Sequence, residues 1–451
     1  MTASRNLTQL AVTGLAIAVS CCLANAVEPD EAAWPDARRI PAFRAPEEVP
    51  DPEAVPPRPL EPAGPLTLAD ALSLALMHNP ELAVFSWETR VHEARKLQAG
   101  KFPNPELDIR LWELDDQGGQ ASFPRRRILF SQDFEFGDKS GRRKGVAEAE
   151  RQIAEADYQA KRDEIAARVT GQFITILGAQ LRVKSLRKHL DFLDGTRDNI
   201  AGLVESGSVR RLAMHQVNRR HGLARLKLEA AESALSAARF GLVSGWGGHS
   251  PRFTEAVGDL EHRETVPDIE TVLEIARQRP TVARWDAELA RGEAAVRLAK
   301  SRRVPDLTMG FGFRWEDDFD RRDYLFDIEI ALPIFDRKQG EIREAHYGMA
   351  RARAGRQMAE TTSNRQVAEL YYRLSESEAR RTVLGEEVLP ATRATFDALL
   401  VGFDGQMEDP DDLLDARRNL TRAEIDYTEA LVAYHDALAA LESILGQSFG
   451  D

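Results

Sequence analysis

The sequence predicts a mainly α-helical protein that also contributes strands to a membrane β-barrel. Three observations predict this fold class. The N-terminus has the pattern of an export signal, four segments alternate apolar and polar residues, and two stretches of about 60 residues contain no proline. The alternating segments and the long stretches recur in the same order, so we expect two structural repeats, each built as helix, strand, strand, long helix and helix.

The composition excludes several classes of protein. Charged residues make up 29% of the 451 residues, and after the first thirty no run of about 20 apolar residues occurs, so helices that span a membrane are not expected. The net charge of −13 argues against a nucleic-acid partner. The only cysteines are Cys21 and Cys22, which excludes a disulfide scaffold, a structural zinc site and a cysteine nucleophile in the mature body.

Residues 1–26 are predicted to be a signal peptide. Arg5 supplies the positive charge, residues 10–20 are apolar, and the small residues Ala24 and Ala26 fit a cleavage site after Ala26. The alternative is a lipoprotein signal in which Cys21 is lipidated. In both cases the chain leaves the cytoplasm.

Residues 27–66 are predicted to be an extended N-terminal segment. This region contains eleven of the 22 prolines, which remove backbone donors and disfavour helix. A flexible leader without chemistry is one interpretation. The other is a segment that runs along the outside of its own folded body.

The body, residues 67–451, is predicted to be a duplication with repeats at 67–266 and 267–451. An offset of 200 residues without a gap matches prolines, alanines and strand positions, including Pro80 with Pro280 and Pro105 with Pro305. The first repeat begins at Thr67, which precedes Asp70 in an acidic variant of the capping box. Its first helix is expected to run to about Gly100 with an interruption at residues 79–80.

Each repeat contains two predicted strands. In the second repeat, alternate residues from Leu307 to Trp315 and from Tyr324 to Leu332 are apolar, so each strand has one apolar and one polar face. The lengths, and the aromatic residues at the strand ends, are typical of membrane strands. The carboxylates that would face a wet lumen are Asp133, Glu135, Asp327 and Glu329. A soluble amphipathic sheet is the alternative.

The strands and the long helices have consequences for assembly. Four strands cannot close a barrel and an open sheet edge is not tolerated in lipid, so at least two chains must contribute, and three would give twelve strands. The segments 141–200 and 333–390 contain no internal proline, and a 60-residue helix is about 90 Å long. A filament or helical bundle would also explain such helices, but it would not explain the strands.

The sequence resembles the TolC family of outer-membrane efflux proteins over residues 67–447. The resemblance rests on several short motifs in order: Leu-Thr-Leu-Ala-Asp-Ala-Leu at 66–72, Asn-Pro at 79–80, Phe-Pro-Asn-Pro-Glu-Leu at 102–107, Val-Pro-Asp-Leu at 304–307, Leu-Pro-Ile-Phe at 332–335 and Asp-Asp-Leu-Leu-Asp-Ala-Arg at 411–417. The motif at 103–107 is similar to members that serve heavy-metal pumps of the resistance–nodulation–division type.

The resemblance implies a homotrimer in the cell outer membrane that extends into the periplasm. Its twelve-stranded barrel would continue as a tunnel of α-helices, and it would act as the passive exit duct of a tripartite efflux system. The implied partners are a periplasmic adaptor, an inner-membrane pump and outer-membrane lipid. Independently of the resemblance, basic runs at 125–127 and 142–144 flank one strand at opposite ends, where they would contact lipid phosphates or form a solvated boundary. No cofactor is expected. The substrate stays open between heavy-metal cations, drugs and secreted protein.

The turns near 205–211 and 402–412 are expected at the periplasmic tip. The second turn is rich in carboxylates, which in three copies would form acidic rings that favour cations and help close the duct. These residues are Asp404, Glu408, Asp409, Asp411 and Asp412. The alternative is an acidic helix N-terminus that complements the helix dipole, and both can hold together.

Two other classes of protein share part of this pattern. A soluble periplasmic coiled-coil adaptor would have the long helices, and a secreted hydrolase would have the export signal. The sequence has no phosphate-binding loop, no dinucleotide fingerprint, no nucleophile elbow and no metal-ligand spacing of histidines. An enzyme is therefore not expected.

Overall fold

The computed structural model describes residues 34–49, 61–112, 125–207, 210–277, 280–316, 321–404, 410–446 and 449, and it is mainly helical with one small sheet. The helices are α1 Leu68–His78, α2 Pro80–Ala99, α3 Lys139–Glu205, α4 Arg211–Ser244, α5 Ile269–Arg277, α6 Pro280–Ser301, α7 Gln339–Val383, α8 Leu389–Asp404 and α9 Pro410–Leu445. The strands are β1 Glu106–Trp112, β2 Arg125–Phe134, β3 Leu307–Glu316 and β4 Arg321–Ile330. The predicted helix break and all four strands are confirmed.

The first two helices begin where local side-chain chemistry predicts. The Thr67 hydroxyl accepts the Asp70 N–H at 3.2 Å and the Asp70 carboxylate accepts the Thr67 N–H at 3.3 Å, which completes the capping box. The Asn79 side chain then accepts the Leu82 N–H at 3.1 Å. Pro80 occupies the first turn of α2, where its missing N–H costs no hydrogen bond.

Helix α3 is the central element of the fold. It has 67 residues and is therefore about 100 Å long. It packs against α1, α2, α4, α6 and α9 at successive levels. The main core lies where α1 crosses it, and there Val169, Phe173 and Ile176 of α3 are buried with Leu72 and Trp246.

The second long helical segment, α7 to α8, continues past a proline, Pro390. Between α7 and α8, residues Leu384–Val388 form a π-helical turn in which the Leu389 N–H donates to the Leu384 carbonyl. In a regular helix the Pro390 ring would collide with the carbonyl of Glu386, and the wider turn relieves this contact. Tyr427 of α9 packs beside the turn, where a Cβ on Gly385 would lie 2.8 Å from its ring. The sequence did not predict this turn.

The four strands form one antiparallel sheet in the order β1-β2-β3-β4. In the register, Ile109, Ile128, Phe313 and Tyr324 lie side by side across the sheet. All the apolar alternate positions consequently share one face. Among the described residues, β1 and β4 are edge strands with no partner on their outer sides.

Two glycines on the polar face of β3 allow one leucine to pack. Leu129 of β2 is 8% exposed and lies over Gly310 and Gly312. A Cβ on Gly310 would lie 3.3 Å from Leu129 Cδ1. On Gly312 it would lie 2.8 Å from Leu129 Cα and overlap the Ile128 carbonyl. The Gly-Phe-Gly sequence therefore serves strand packing.

Residues 34–45, which we name the strap, lie along the helices. The strap crosses α3, where the Tyr158 hydroxyl donates to the Phe43 carbonyl at 2.7 Å and Arg44 pairs with Glu155 at 2.7 Å. At its start, Trp34 stacks on His435 of α9 with ring centroids 4.7 Å apart. For this part of the N-terminal segment, the interpretation as a flexible leader is wrong, and the chain runs along its own body.

Arg162 of α3 is predicted to fasten the strap. Its Nη2 donates to three strap carbonyls, those of Ala37, Arg38 and Ile40, each at 2.9 Å. We expect Arg162→Ala to increase the rate of tryptic cleavage after Arg38 at least about tenfold. The variant loses all three charge-assisted hydrogen bonds to the strap at once, so the strap detaches from α3 more often and becomes accessible to trypsin. Limited proteolysis with mass spectrometry measures this rate.

Arg168→Ala is the matched control for the strap. Arg168 is on the same helix but pairs with Glu81 of α2 at 2.7 Å. Equal cleavage rates in both variants would contradict the assigned role of Arg162.

Gly312→Ala is predicted to destabilise the sheet. The added methyl group must displace β2, and overpacking of this kind costs about 1–3 kcal/mol. Thermal unfolding of the purified protein should show a lower midpoint. Gly348→Ala in α7, where a Cβ meets nothing within 4 Å, should leave the midpoint unchanged or raise it. An unchanged Gly312→Ala protein would show that β2 and β3 pack less closely than described.

Candidate channel and gate surfaces

The apolar face of the sheet is exposed to an unusual extent. Phe326 is 76% exposed, Tyr324 71% and Ile328 69%. The rings of Phe311 and Phe326 contact each other at 5.1 Å between centroids, and those of Phe313 and Tyr324 at 5.4 Å, so the aromatic residues form a continuous surface. A contiguous apolar surface of this kind indicates contact with lipid or with another protein.

The polar face carries three of the four carboxylates predicted for a lumen. Asp133, Asp327 and Glu329 lie on this face at the end of the sheet nearer the helices, and all three are exposed. The Thr308 hydroxyl donates to Asp133 at 2.5 Å. Their spacing along the sheet would place negative charge along one end of a channel.

Glu135 is placed differently from the other three. It follows the end of β2, and its carboxylate accepts two hydrogen bonds from Arg143 of α3, at 2.5 and 2.8 Å. Nearby, Lys139 pairs with Asp306 at 2.7 Å. These pairs join the sheet to the helices, and the charge of Glu135 is compensated there.

The other end of the polar face carries a row of arginines that was not predicted as a group. One of them, Arg127, was expected to contact lipid phosphates, but the register places it on the polar face and not on the apolar face. The register places Arg110, Arg127, Arg314 and Asp323 side by side. Asp108 accepts from Arg110 at 3.1 Å and from Arg127 at 3.2 Å. In the sequence these arginines follow the same alternation as the carboxylates, which indicates that they share the polar face. That they lie side by side follows only from the register between the strands.

At the opposite end of the molecule, Asp411 and Asp412 lie in the first turn of α9, where the helix dipole favours carboxylates. Asp411 also pairs with Arg220 of α4 at 3.3 Å, and Arg220 reaches Asp415 at 2.7 Å. Asp412 is exposed. Asp411 therefore ties two helices together, and Asp412 presents its charge to the surroundings.

The remaining tip candidates are only partly described. Asp404 ends α8, whereas Glu408 and Asp409 lie outside the described residues, as does Cys21. Above the tip, Arg417 of α9 lies over the rings of Phe192 and Phe396, at 5.6 and 5.4 Å from their centroids. These cation–π contacts join α3, α8 and α9.

A groove of about 1010 Å³ has α3 as its floor and α4 and α9 as its walls. Five of the side chains that line it are basic: Arg182, Lys227, Arg373, Arg418 and Arg422. Burial raises the pKa of Asp436 to about 6, while Arg373 opposes this shift. Burial and nearby cations lower the pKa of His189 to about 4. His189 is therefore uncharged at neutral pH, and the groove is basic because of its lysine and arginines.

Among the residues that the structure describes, no three His, Cys, Asp or Glu side chains lie close enough together to bind a metal ion. No helix in the described ranges combines the length and the apolar character that crossing a membrane requires.

Comparison with known proteins gives consistent matches. The family model described as "Outer membrane efflux protein" matches residues 272–447. The cobalt-zinc-cadmium resistance protein CzcC of Cupriavidus metallidurans is 32% identical over 375 residues, which are 83% of this chain and 88% of that protein. The nickel-cobalt-cadmium resistance protein NccC of Alcaligenes xylosoxydans xylosoxydans is 24% identical over 61% of this chain and 62% of that protein.

The fold matches solved structures as well. The open state of the Neisseria gonorrhoeae MtrE outer membrane channel superimposes with a TM-score of 0.72 over 91% of this chain and 98% of that chain. The sequences are 16% identical, so this likeness concerns the fold. With the identity to CzcC over most of both chains, the conclusion is that this chain belongs to the outer membrane efflux protein family, and it is an efflux channel of the outer membrane and not an enzyme.

Proposed function

We propose that three copies of this chain form a twelve-stranded barrel in the outer membrane and a helical tunnel in the periplasm, and that this duct exports divalent metal cations. In this assembly a periplasmic adaptor joins the tunnel to an inner-membrane pump of the resistance–nodulation–division type. The observation that carries the proposal is the four-stranded sheet, which has an exposed apolar face and two open edges.

The open edges support ring closure. In lipid, the unpaired backbone groups of β1 and β4 would each cost several kcal/mol. Pairing β4 of one chain with β1 of the next removes both edges, and such head-to-tail contacts close into a ring. Three copies of four strands give twelve, an even number within the range of bacterial barrels.

The height of the apolar face fits a membrane. On β3 it extends from Leu307 to Trp315, which is about 27 Å along a strand and about 20 Å after a tilt near 40°. At the far end, Arg126 and Arg322 flank Trp315 in the register. Arginine and tryptophan at this level are suited to lipid phosphates and to the membrane interface.

The helices support the same arrangement. The contacts place α4, α3, α9 and α7 in that order as one layer, so α4 and α7 are its edges. Both edges have large exposed hydrophobic residues, among them Leu226 and Phe240 on α4, and Tyr372 and Val383 on α7. In a ring of three chains these two edges would cover each other.

The two repeats and the tip carboxylates are part of the same proposal. Asp138 and Lys338, at the junctions from β2 to α3 and from β4 to α7, have the left-handed φ values of 58° and 57°. Equivalent junctions 200 positions apart support repeats at 67–266 and 267–451. In a trimer, Asp404 and Asp412, with Glu408 and Asp409 of the same turn, would form acidic rings at the tip.

The proposed cargo follows from the relatives. CzcC and NccC are named for resistance to cobalt, zinc, cadmium and nickel. The exposed carboxylates of the polar face are compatible with the passage of such cations. Drug efflux and type I secretion are the competing cargo classes, and growth phenotypes distinguish them.

Cysteine cross-linking tests the barrel. Within one chain β1 and β4 are about 14 Å apart, too far for a disulfide. A bond between Ile109→Cys and one of Tyr324→Cys, Phe326→Cys or Ile328→Cys must therefore join two chains. We expect oxidation to give covalent trimers for at least one of the three pairs.

Phe130→Cys on the inner strand β2, combined with the same β4 positions, is the matched control and should stay monomeric. Monomers from all three β1–β4 pairs, in protein recovered from the outer membrane, would contradict the ring.

Deletion of the gene tests the cargo. We expect the deletion strain to become sensitive to cobalt, zinc, cadmium or nickel salts and to accumulate the metal, because export would be blocked. Growth inhibition and cell-associated metal measure this, with the wild-type gene restoring resistance. Sensitivity to lipophilic drugs without sensitivity to metals would retain the duct and exclude metal as the cargo.

A further inference from the structure

We propose that the barrel carries two zones of opposite charge, a carboxylate zone next to the tunnel and an arginine ring at the outer mouth that favours small anions. The inference rests on the proposed twelve-stranded barrel. It concerns an anion-binding zone in a duct whose cargo is proposed to be cationic.

The outer zone is defined by the sheet register. Arg110, Arg127 and Arg314 occupy one row of the polar face, at the strand ends farther from the helices. Asp323 completes the row and accepts from Arg314 at 2.9 Å and from Arg321 at 2.8 Å. With the Asp108 pairs, four arginines of the strands face two aspartates, so in three chains this group of strand residues has an excess of about six positive charges.

The inner zone has the opposite sign. Glu106, Asp133, Asp327 and Glu329 are exposed on the same polar face. Within the described ranges, none of these four side chains forms an ion pair. Three copies would give about twelve negative charges at the end of the barrel nearer the tunnel.

The two zones are far enough apart to act separately. From Arg127 to Asp133 the strand advances six residues, or about 20 Å. This distance is more than twice the Debye length of about 8 Å at physiological ionic strength. The inner zone therefore concentrates cations, and the outer zone concentrates anions.

The two charge zones favour outward over inward movement of cations. A cation that leaves the tunnel is first attracted by the carboxylates and then passes the mouth accompanied by anions. A cation that returns from outside must pass the arginines before it reaches the carboxylates, and the arginines oppose its return. The connecting segments 113–124 and 317–320 are acidic in the sequence, and the variants below leave them unchanged.

Single-channel recordings of the purified full-length protein in planar bilayers, with KCl as the probe, test the inference. We expect the wild-type current to differ between the two voltage signs at about 0.05 M KCl and to become symmetric at about 1 M, where the Debye length is only 3 Å. In the triple variant R110Q/R127Q/R314Q, we expect the ratio of K⁺ to Cl⁻ permeability to rise at least about twofold.

Two further variants complete the test. R126Q/R322Q removes arginines at the same end of the strands but on the opposite, apolar face, and should leave the permeability ratio unchanged. D327N/E329Q removes charge from the inner zone and should lower the ratio. Because these carboxylates are exposed and form no described ion pair, this variant should fold even if the triple variant does not.

The outcomes separate the two proposals. A wild-type protein that forms no conducting trimer would overturn the proposed barrel. If all three proteins (the wild type, the triple variant and D327N/E329Q) conduct with the same ratio of K⁺ to Cl⁻ permeability, the charge zones are overturned. The proposed barrel is then retained. If the triple variant does not assemble, an unchanged ratio in both R127Q and D327N/E329Q overturns the zones.

Discussion

A helix of 67 residues is stable only where other elements cover it, and this requirement organises the whole fold. Helix propensity alone supplies little stability, so α3 depends on tertiary packing. Different partners cover it at successive levels, with α2 and α6 near the sheet end, α1 at mid-length, and α4 and α9 from there onward. Its alanines at 147, 149 and 154 allow close approach of neighbours, and its large residues fill the core around Trp246. Removing any one partner would expose part of this rod.

The molecule separates its chemistry by region. On the sheet, the aromatic residues lie on one face, and the charged side chains of the strands lie on the other face except for Arg126 and Arg322. Where the sheet meets the helices, the ion pairs Glu135–Arg143 and Lys139–Asp306 hold the two parts in a fixed relation. At the far end, Arg220 and Arg417 join helices through charge and through aromatic rings.

Much of the fold could be predicted because its signals are local. Thr67 and Asp70 indicate a helix start, Asn79 and Pro80 indicate a break, and alternation of apolar and polar residues indicates the strands, over nine residues from Leu307 to Trp315 in β3. The features that could not be predicted depend on contacts distant in sequence. The π-helical turn before Pro390 packs beside Tyr427 of α9. Glu135 was predicted to face the lumen, but its carboxylate accepts hydrogen bonds from Arg143 of α3. The pairing of Asp411 with Arg220 joins the two halves of the chain, which no short motif reveals.

The stacking of Trp34 on His435 constrains the order in which the protein matures. The two rings are separated by about 400 residues, and the strap also depends on α3. Ribosomes and export machinery deliver a chain from its N-terminus, so the strap emerges long before the helix that receives its first ring. The contacts of the strap with α3 can form first, but Trp34 lacks its partner ring until α9 has followed, so the stacking of Trp34 on His435 marks the completion of the protomer.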